Sequence, residues 1–537
     1  MKKYYIIIAL ITGIFFSSCQ KQLEEKFNDP ERTEQANIPA FFASMLNNEK
    51  VKPQYYNVRT FLIQQPGIFS QSNTFSNSNT SYQHNDGYLG TFWREFYHTN
   101  RDNDRDITLN GVMALYRLME KAYREGETLS SMEQYDSFMQ AGKIVLIWHA
   151  AQMVDMWGDI PYSEAGSLQT NDAMNNAKFD NQIELYESFI ADLTDAATYF
   201  STAEATQAFT RYDIMLTGDT GRWRRFANSL KMRLLMRMSF YDEPTAQQKV
   251  MEMLNNPTDY PLIDGDNSPT YSPAATDVLI QQLTDNVLTL NNALTEGREY
   301  SAPDYLLNTV MLPANDPRIP ILFDKFGDLV NNRFIPNKEY KAMPVTTTQA
   351  VQDRDWRLYS TWDTTTFLLN AQLPGILMTA SEVNYLKAEA EQRWGSEDRA
   401  KTAYETGLRQ SVAFYYYLHN TNSSREYPKE PEPSSTAVNA FIENPNVRYE
   451  GAINDKLEKI WTQKWAHFGF LQSPQAWSEY RRTKYPQLTF PTTGKLQGFS
   501  TPANRLVYPS VETAYNPHYS EVRAKDTRDT KIFWDVR

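Results

Sequence analysis

The residue types that could carry chemistry are present, but few stand in a pattern that would make them do it. The six histidines are His84, His98, His149, His419, His467 and His518, and none forms an H-E-x-x-H pair. The chain has no G-x-S-x-G turn, no phosphate-cradling loop and no dinucleotide fingerprint. Asp102, Asp104 and Asp106 imitate the opening of a calcium loop, but Ile107 stands where its glycine belongs and Met113 where its glutamate belongs. No metal and no cofactor is therefore expected. His149, inside an apolar stretch, reads as a hydrogen-bonded core histidine. Acidic residues are numerous enough for a glycosidase-type carboxylate pair, although no two are singled out. Aromatic residues are the more telling feature. Tyr82, Tyr88, Trp93, Trp356, Tyr359 and Trp362 lie in or beside polar segments where a core role is not obvious. Sugar rings stack their C–H faces on such rings, and peptides use the same surfaces. These six are the candidate ligand-binding residues, with packing against the body as the competing role.

Composition narrows the classes. With 53 basic against 65 acidic residues the net charge is −12, so no basic surface for nucleic acid is expected. Charged residues at 22%, hydrophobic ones at 41% and a mean hydropathy of −0.59 fit a soluble globular body. The single cysteine excludes an intramolecular disulfide and a cysteine-type structural zinc site.

That cysteine, Cys19, follows Lys2, Lys3, an apolar run over 4–16 and the small residues Ser17 and Ser18. A charged start, a short apolar segment and small residues before a cut describe a secretory signal. The run is too short for a ~30 Å hydrocarbon core. The box ending in Cys19 resembles that of bacterial lipoproteins, where the thiol takes a diacylglyceryl group and becomes residue one. Residues 1–18 are thus expected to be a signal peptide and 19–37 a polar tether. A single domain is expected over 38–537.

The elements that must position the candidates are mostly helical. Helical spacing of apolar residues marks 135–157, stopped by Gly158 and Pro161, and 182–200. It also marks 223–240, with Arg224, Arg225, Lys231, Arg233 and Arg237 as a basic side, and 455–470 behind an Asn454 cap. In 381–412 two helices meet at Gly395, and Ser396 caps the second. Small residues at their crossing resemble a tetratricopeptide hairpin. The fold class expected is mainly α: tetratricopeptide-like hairpins, little β, and long irregular insertions at 70–86, 264–273, 343–366, 420–435 and 485–517.

Six blocks carry a resemblance: DIPYSEA at 159–165, GDTGRWRRFANSLKMRLLMR at 218–237, TASEVNYLKAEA at 379–390, IWTQKW at 460–465, QAWSEYRR at 475–482 and PANRLVYP at 502–509. In this order, behind a lipoprotein signal, the chain resembles the SusD/RagB family, and most of all its SusD-like subgroup. The resemblance implies a lipid-anchored protein on the cell surface of the Bacteroidetes outer membrane. Such a protein captures an oligomeric nutrient, an oligosaccharide or an oligopeptide, and forms a lid on a SusC-like TonB-dependent transporter barrel. It implies no catalysis. It implies that the helix over 223–238 packs inward and that Tyr480, Arg481 and Arg482 anchor loops, while ligand residues lie in loops that vary. The alternatives are a helical glycoside hydrolase and an envelope tetratricopeptide adaptor.

Overall fold

The computed structural model describes residues 37–537 except 75–80, 99, 103–106, 110, 127–131, 168–175, 267–269, 284–286, 297–299, 428, 491–498 and 500. The expected signal peptide, all of the tether but Asn37, Cys19 and most of the calcium-like loop lie outside the described residues.

Twelve helices are enough to place the site: α1 (Ile38–Leu46), α2 (Asp86–Tyr97), α3 (Val112–Arg124), α4 (Asp136–Trp157), α5 (Gln182–Tyr199), α6 (Thr220–Arg237), α7 (Glu243–Asn255), α8 (Val287–Thr295), α9 (Ala380–Trp394), α10 (Glu397–Thr421), α11 (Ile453–Phe468) and α12 (Ser473–Thr483). Among the described residues strands occur only as antiparallel pairs, β1 (Asn100–Asp102) with β2 (Ile107–Leu109), β3 (Val278–Ile280) with β8 (Gly375–Met378), β4 (Phe323–Asp324) with β7 (Thr361–Trp362), and β5 (Gly327–Val330) with β6 (Arg333–Pro336). The mainly helical class expected from sequence is what the structure shows.

The helical hairpin is clearest at α9 and α10. Thr379 Oγ1 accepts from the Glu382 N–H and Ser396 Oγ from the Arg399 N–H, so each first turn has a side-chain cap. Between them Gly395 ends α9 as expected, and α10 runs on to Thr421. Ala400, Ala403, Tyr404 and Leu408 are buried along one face of α10. Gly407 lies where the two helices touch. A Cβ there would sit 3.0 Å from the Tyr385 ring and 3.3 Å from the Ser381 carbonyl oxygen, so a side chain at this crossing would press the two helices apart by a few tenths of an ångström.

Other expectations shift in detail. The helix expected at 455–470 begins at Ile453, so Asn454 is not its cap; the Asp455 carboxylate accepts from the Ala452 N–H instead. The basic side of α6 is in part its buried side. Arg233 grips Glu382 through Nε (2.6 Å) and Nη2 (2.7 Å), and Lys231 lies over the Tyr260 ring. His149 is buried against Trp148, and its Nε2 has no hydrogen-bond partner among the described residues; burial pushes its pKa down to about 3.

At the centre, charges from α4, α6, α9, α11 and α12 meet. Arg482 donates to both oxygens of Glu389 at 2.7 and 2.6 Å and to Glu479 at 2.7 Å. Lys464 lies 2.6 Å from Glu479 and 3.6 Å from Glu389. Arg237 reaches Glu479 at 3.4 Å and Asp155 at 3.7 Å, while Asp155 also accepts from Trp534 Nε1 and the Tyr186 hydroxyl. Arg482 therefore ties helices together in the core, where the resemblance implied a loop anchor. Burial alone raises the Glu389 pKa, but Arg482 and Lys464 outweigh it and bring it down to about 2.

Candidate functional site

The six candidate aromatics separate into different environments. Trp93, on α2, is buried between Trp157 (5.3 Å between ring centroids) and Tyr508 (5.7 Å), and its Nε1 donates to Glu512 at 2.9 Å. Tyr82 is buried with its ring edge toward Phe490 at 6.3 Å. Trp362 is 1% exposed. It stacks on Phe323 at 5.0 Å and meets Phe470 at 4.8 Å, and its Nε1 donates to Asn73 Oδ1 at 2.9 Å. No ligand can reach these three rings in this structure. The expectation of ligand contact is corrected for them: neighbouring polar residues do not keep a ring at the surface when distant segments fold over it. Tyr88 is half-buried on α2, within electrostatic reach of Tyr55. It lies with a separate surface group in which the Tyr55 hydroxyl donates to Glu296 at 2.7 Å beside the exposed Tyr56.

Trp356 and Tyr359 remain half-buried, and Trp356 is brought together with rings that the sequence did not single out. Phe326 lies 5.2 Å from Trp356 with the planes tilted by 31°. Tyr300 meets both edge-on, at 6.0 Å from Trp356 and 6.3 Å from Phe326. Phe334, from β6, adds its edge at 6.2 Å from Phe326. Arg357 lies over Trp356 at 4.9 Å and Lys341 over Tyr359 at 5.2 Å. The result is a half-open aromatic platform rimmed by cations, amides and carboxylates.

The platform is built on irregular backbone held from below. The Trp362 N–H donates to Tyr300 O at 2.6 Å, the Ala302 N–H to Ser360 O at 2.8 Å, and the Ser360 N–H to Lys341 O at 2.8 Å. Asn337 Nδ2 donates to both Lys325 O and Arg357 O at 2.9 Å, joining the two sides of the platform. Trp362, expected to touch ligand, is buried, and its backbone holds the Tyr300 segment. The insertion at 343–366 is thus less irregular than expected, for it contains a short helix (Gln349–Asp355), a 3-10 turn (Trp356–Leu358) and β7.

Asp324 and Asp363 face each other below the platform. Burial first, and then the neighbouring Asp363 carboxylate, push Asp324 up to about 6. Both acids cap backbone: Asp324 Oδ2 accepts from the Thr364 N–H (2.9 Å) and hydroxyl (2.6 Å), and Asp363 Oδ1 from the Thr366 N–H at 2.6 Å. Among the described residues no group of three or more His, Cys, Asp or Glu side chains is placed to hold a metal ion. Among them, too, no helix is long and apolar enough to cross a membrane.

Phe326, Tyr300 and Phe334 were missed because each is an ordinary aromatic in its own segment. One signal was available for Phe334: Asn331-Asn332 between Leu329-Val330 and Phe334-Ile335 is the pattern of a tight hairpin.

Comparison with known proteins now fits the geometry. No curated protein matches the chain in sequence. A solved chitin-binding protein superposes with a TM-score of 0.72 at 21% identity, covering 93% of this chain and 100% of that one. A chitin-binding SusD homolog from Flavobacterium johnsoniae gives 0.68 at 21% identity, over 93% of this chain and 99% of its own. A SusD homolog from Bacteroides fragilis gives 0.71 at 16% identity, over 93% and 100%. At these identities the likeness establishes the fold. The family model SusD-like_2, described as "Starch-binding associating with outer membrane", matches residues 30–509, which is most of the chain, and the chain therefore belongs to the SusD-like family.

Proposed function

We propose that this chain is a non-catalytic glycan receptor at the outer face of the outer membrane. It is held there by lipid on Cys19 and forms a lid on a SusC-like TonB-dependent transporter. The observation that carries the reading is the half-open platform of Trp356, Phe326 and Tyr300, with Tyr359 beside it. Rings at several inclinations offer C–H-stacking faces, and Arg357, Lys341, Asn337 and Asp328 around them match hydroxyl groups. The family description and the chitin-binding neighbours favour glycan as the cargo. Binding in place of hydrolysis is supported by the inner carboxylates: Asp324 and Asp363 are engaged with backbone, whereas a hydrolase needs its acid and base on the two sides of the scissile bond. A lid of modest affinity suffices, because closure on a partner adds a second surface.

The test is calorimetry with starch and chitin oligosaccharides, alongside chromatography of the sugar after incubation. Trp356→Ala is expected to weaken binding at least tenfold and leave the thermal transition nearly unchanged, since the ring is half-open. The wild type is expected to return the oligosaccharide intact. Released fragments, or equal affinity of the variant, would overturn the reading.

A further inference from the structure

Beside the platform stands a ribbon that the chain leaves uncovered. Residues 328–336 are exposed without interruption. Leu329, Val330, Phe334 and Ile335, with Leu358 on the adjoining turn, are each between 45% and 59% exposed, although all are large apolar side chains. Burial of such surface is favourable, so a cluster of it at one place marks a site that something else covers.

The register says what shape the cover has. Leu329 pairs with Phe334 and Asp328 with Ile335, while Val330 pairs with Arg333. Directly opposed residues share a face and neighbours along a strand alternate. Leu329 and Phe334 therefore point to one side, and Val330 and Ile335 to the other. Each face thus carries two exposed apolar side chains, with Asp328 and Arg333 beside Val330 and Ile335 on the second, and β5 and β6 pair with no third strand among the described residues. A flat partner would cover one face only, so the complementary shape is a slot. The ribbon is shaped to enter one: Asn331 and Asn332 take φ of 53° and 61°, the left-handed pair of a tight hairpin turn. At its base Asp328 accepts from Arg357 at 3.1 Å, and Asn337 donates its N–H to Phe326 O at 2.8 Å. It is thereby fixed to the platform.

We propose that the ribbon over 327–336 inserts into an apolar slot with an acidic rim on the transporter barrel, and so seats the platform over it. This rests on the partnership proposed above. A protein partner is favoured over the glycan because Leu, Val and Ile side chains give sugar hydroxyls nothing to bond to. The rim should be acidic because within 325–341 Lys325, Arg333, Lys338 and Lys341 outnumber Asp328 and Glu339, and Arg357 neutralises Asp328, within a chain of net charge −12. Pairing of two ribbons across a two-fold axis would set these cations against one another, which disfavours a second copy as occupant. The position also fits a hand-over, since Phe334 touches Phe326 of the platform and whatever grips the ribbon overlooks the cargo.

The experiment uses the full chain expressed with its barrel in the native envelope. A photo-crosslinking residue replaces Phe334 on one face and Ile335 on the other, with exposed Tyr515 as control. Both ribbon positions are expected to crosslink to the barrel, and position 515 not to. In the combined variant L329S, V330S and I335S, barrel co-purification is expected to fall at least tenfold, with glycan affinity of the isolated chain within twofold of wild type. Undiminished co-purification, or crosslinks to a second copy of the chain, would overturn the proposal while leaving the receptor reading intact. A tenfold loss of glycan affinity would make the ribbon a wall of the ligand site and overturn it as well. A wild-type chain that brings down no barrel would overturn the partnership itself, and the ribbon's role with it.

Discussion

Replacing Glu389 by Gln tests how the helical body is held. Glu389 is fully buried and takes two hydrogen bonds from Arg482, with Lys464 3.6 Å away. Gln keeps the size and one acceptor but removes the charge, leaving Arg482 with the single carboxylate of Glu479. Its pKa is lowered from 4.5 to about 2, which corresponds to about 3 kcal/mol of stability carried by the ionised form. Removing one member of a buried pair costs about 3–5 kcal/mol, which agrees. The pH dependence has a definite sign. Because the folded pKa is depressed, this stability is present above 4.5 and is lost as pH falls toward 2. Urea unfolding of wild type and Glu389→Gln at pH 7 should differ by about 3 kcal/mol, and at pH 3 by about 1–2 kcal/mol. A difference below about 1 kcal/mol at pH 7, or one that does not change with pH, would refute the account of the cluster as mutually neutralised charge.

Two further substitutions probe the scaffold. Gly407→Ala gains about 1 kcal/mol of helix propensity, but its methyl group meets the fully buried Tyr385 ring at 3.0 Å, and overpacking of that kind costs about 1–3 kcal/mol. A net loss is expected in thermal unfolding, and a raised midpoint would show that α9 and α10 can part freely. Burial raises Asp277 to about 7 even though it accepts from the Ala380 N–H and the Tyr271 hydroxyl. Its contribution is therefore present below 3.8 and lost as pH rises through 7. Asp277→Asn should unfold at higher urea than wild type at pH 8, by up to about 4 kcal/mol, with the advantage shrinking at pH 5; a constant advantage would count against burial as the cause.

What could be read from sequence follows the range of the interactions involved. The α9–α10 hairpin was legible because Gly395, the Ser396 cap and the small residues at the crossing all act within a few turns of their own helices. The block order identified the family for the same reason, since it lies along the chain. The six aromatics were harder because exposure is decided by distant contacts. Trp362 is covered by Phe470 and bonded to Asn73, and Trp93 is closed over by Tyr508. The arginines of α6 were read from sequence only as its basic side, because their buried partners, Glu382 and Glu479, lie far along the sequence. Trp356 and Tyr359 were candidates from sequence, whereas Tyr300, Phe326 and Phe334 gather beside Trp356 only through the fold.

The anchoring of Trp362 has a bearing on how chains of this fold diversify. Its indole is fastened to Asn73 and packed on Phe323, while the segments that carry the neighbouring rings are joined by backbone bonds and by the Asn337 side chain, none of which involves the rings themselves. Evolution can therefore exchange the outer residues for a new menu while the foundation stays unaltered, much as a handle accepts interchangeable bits.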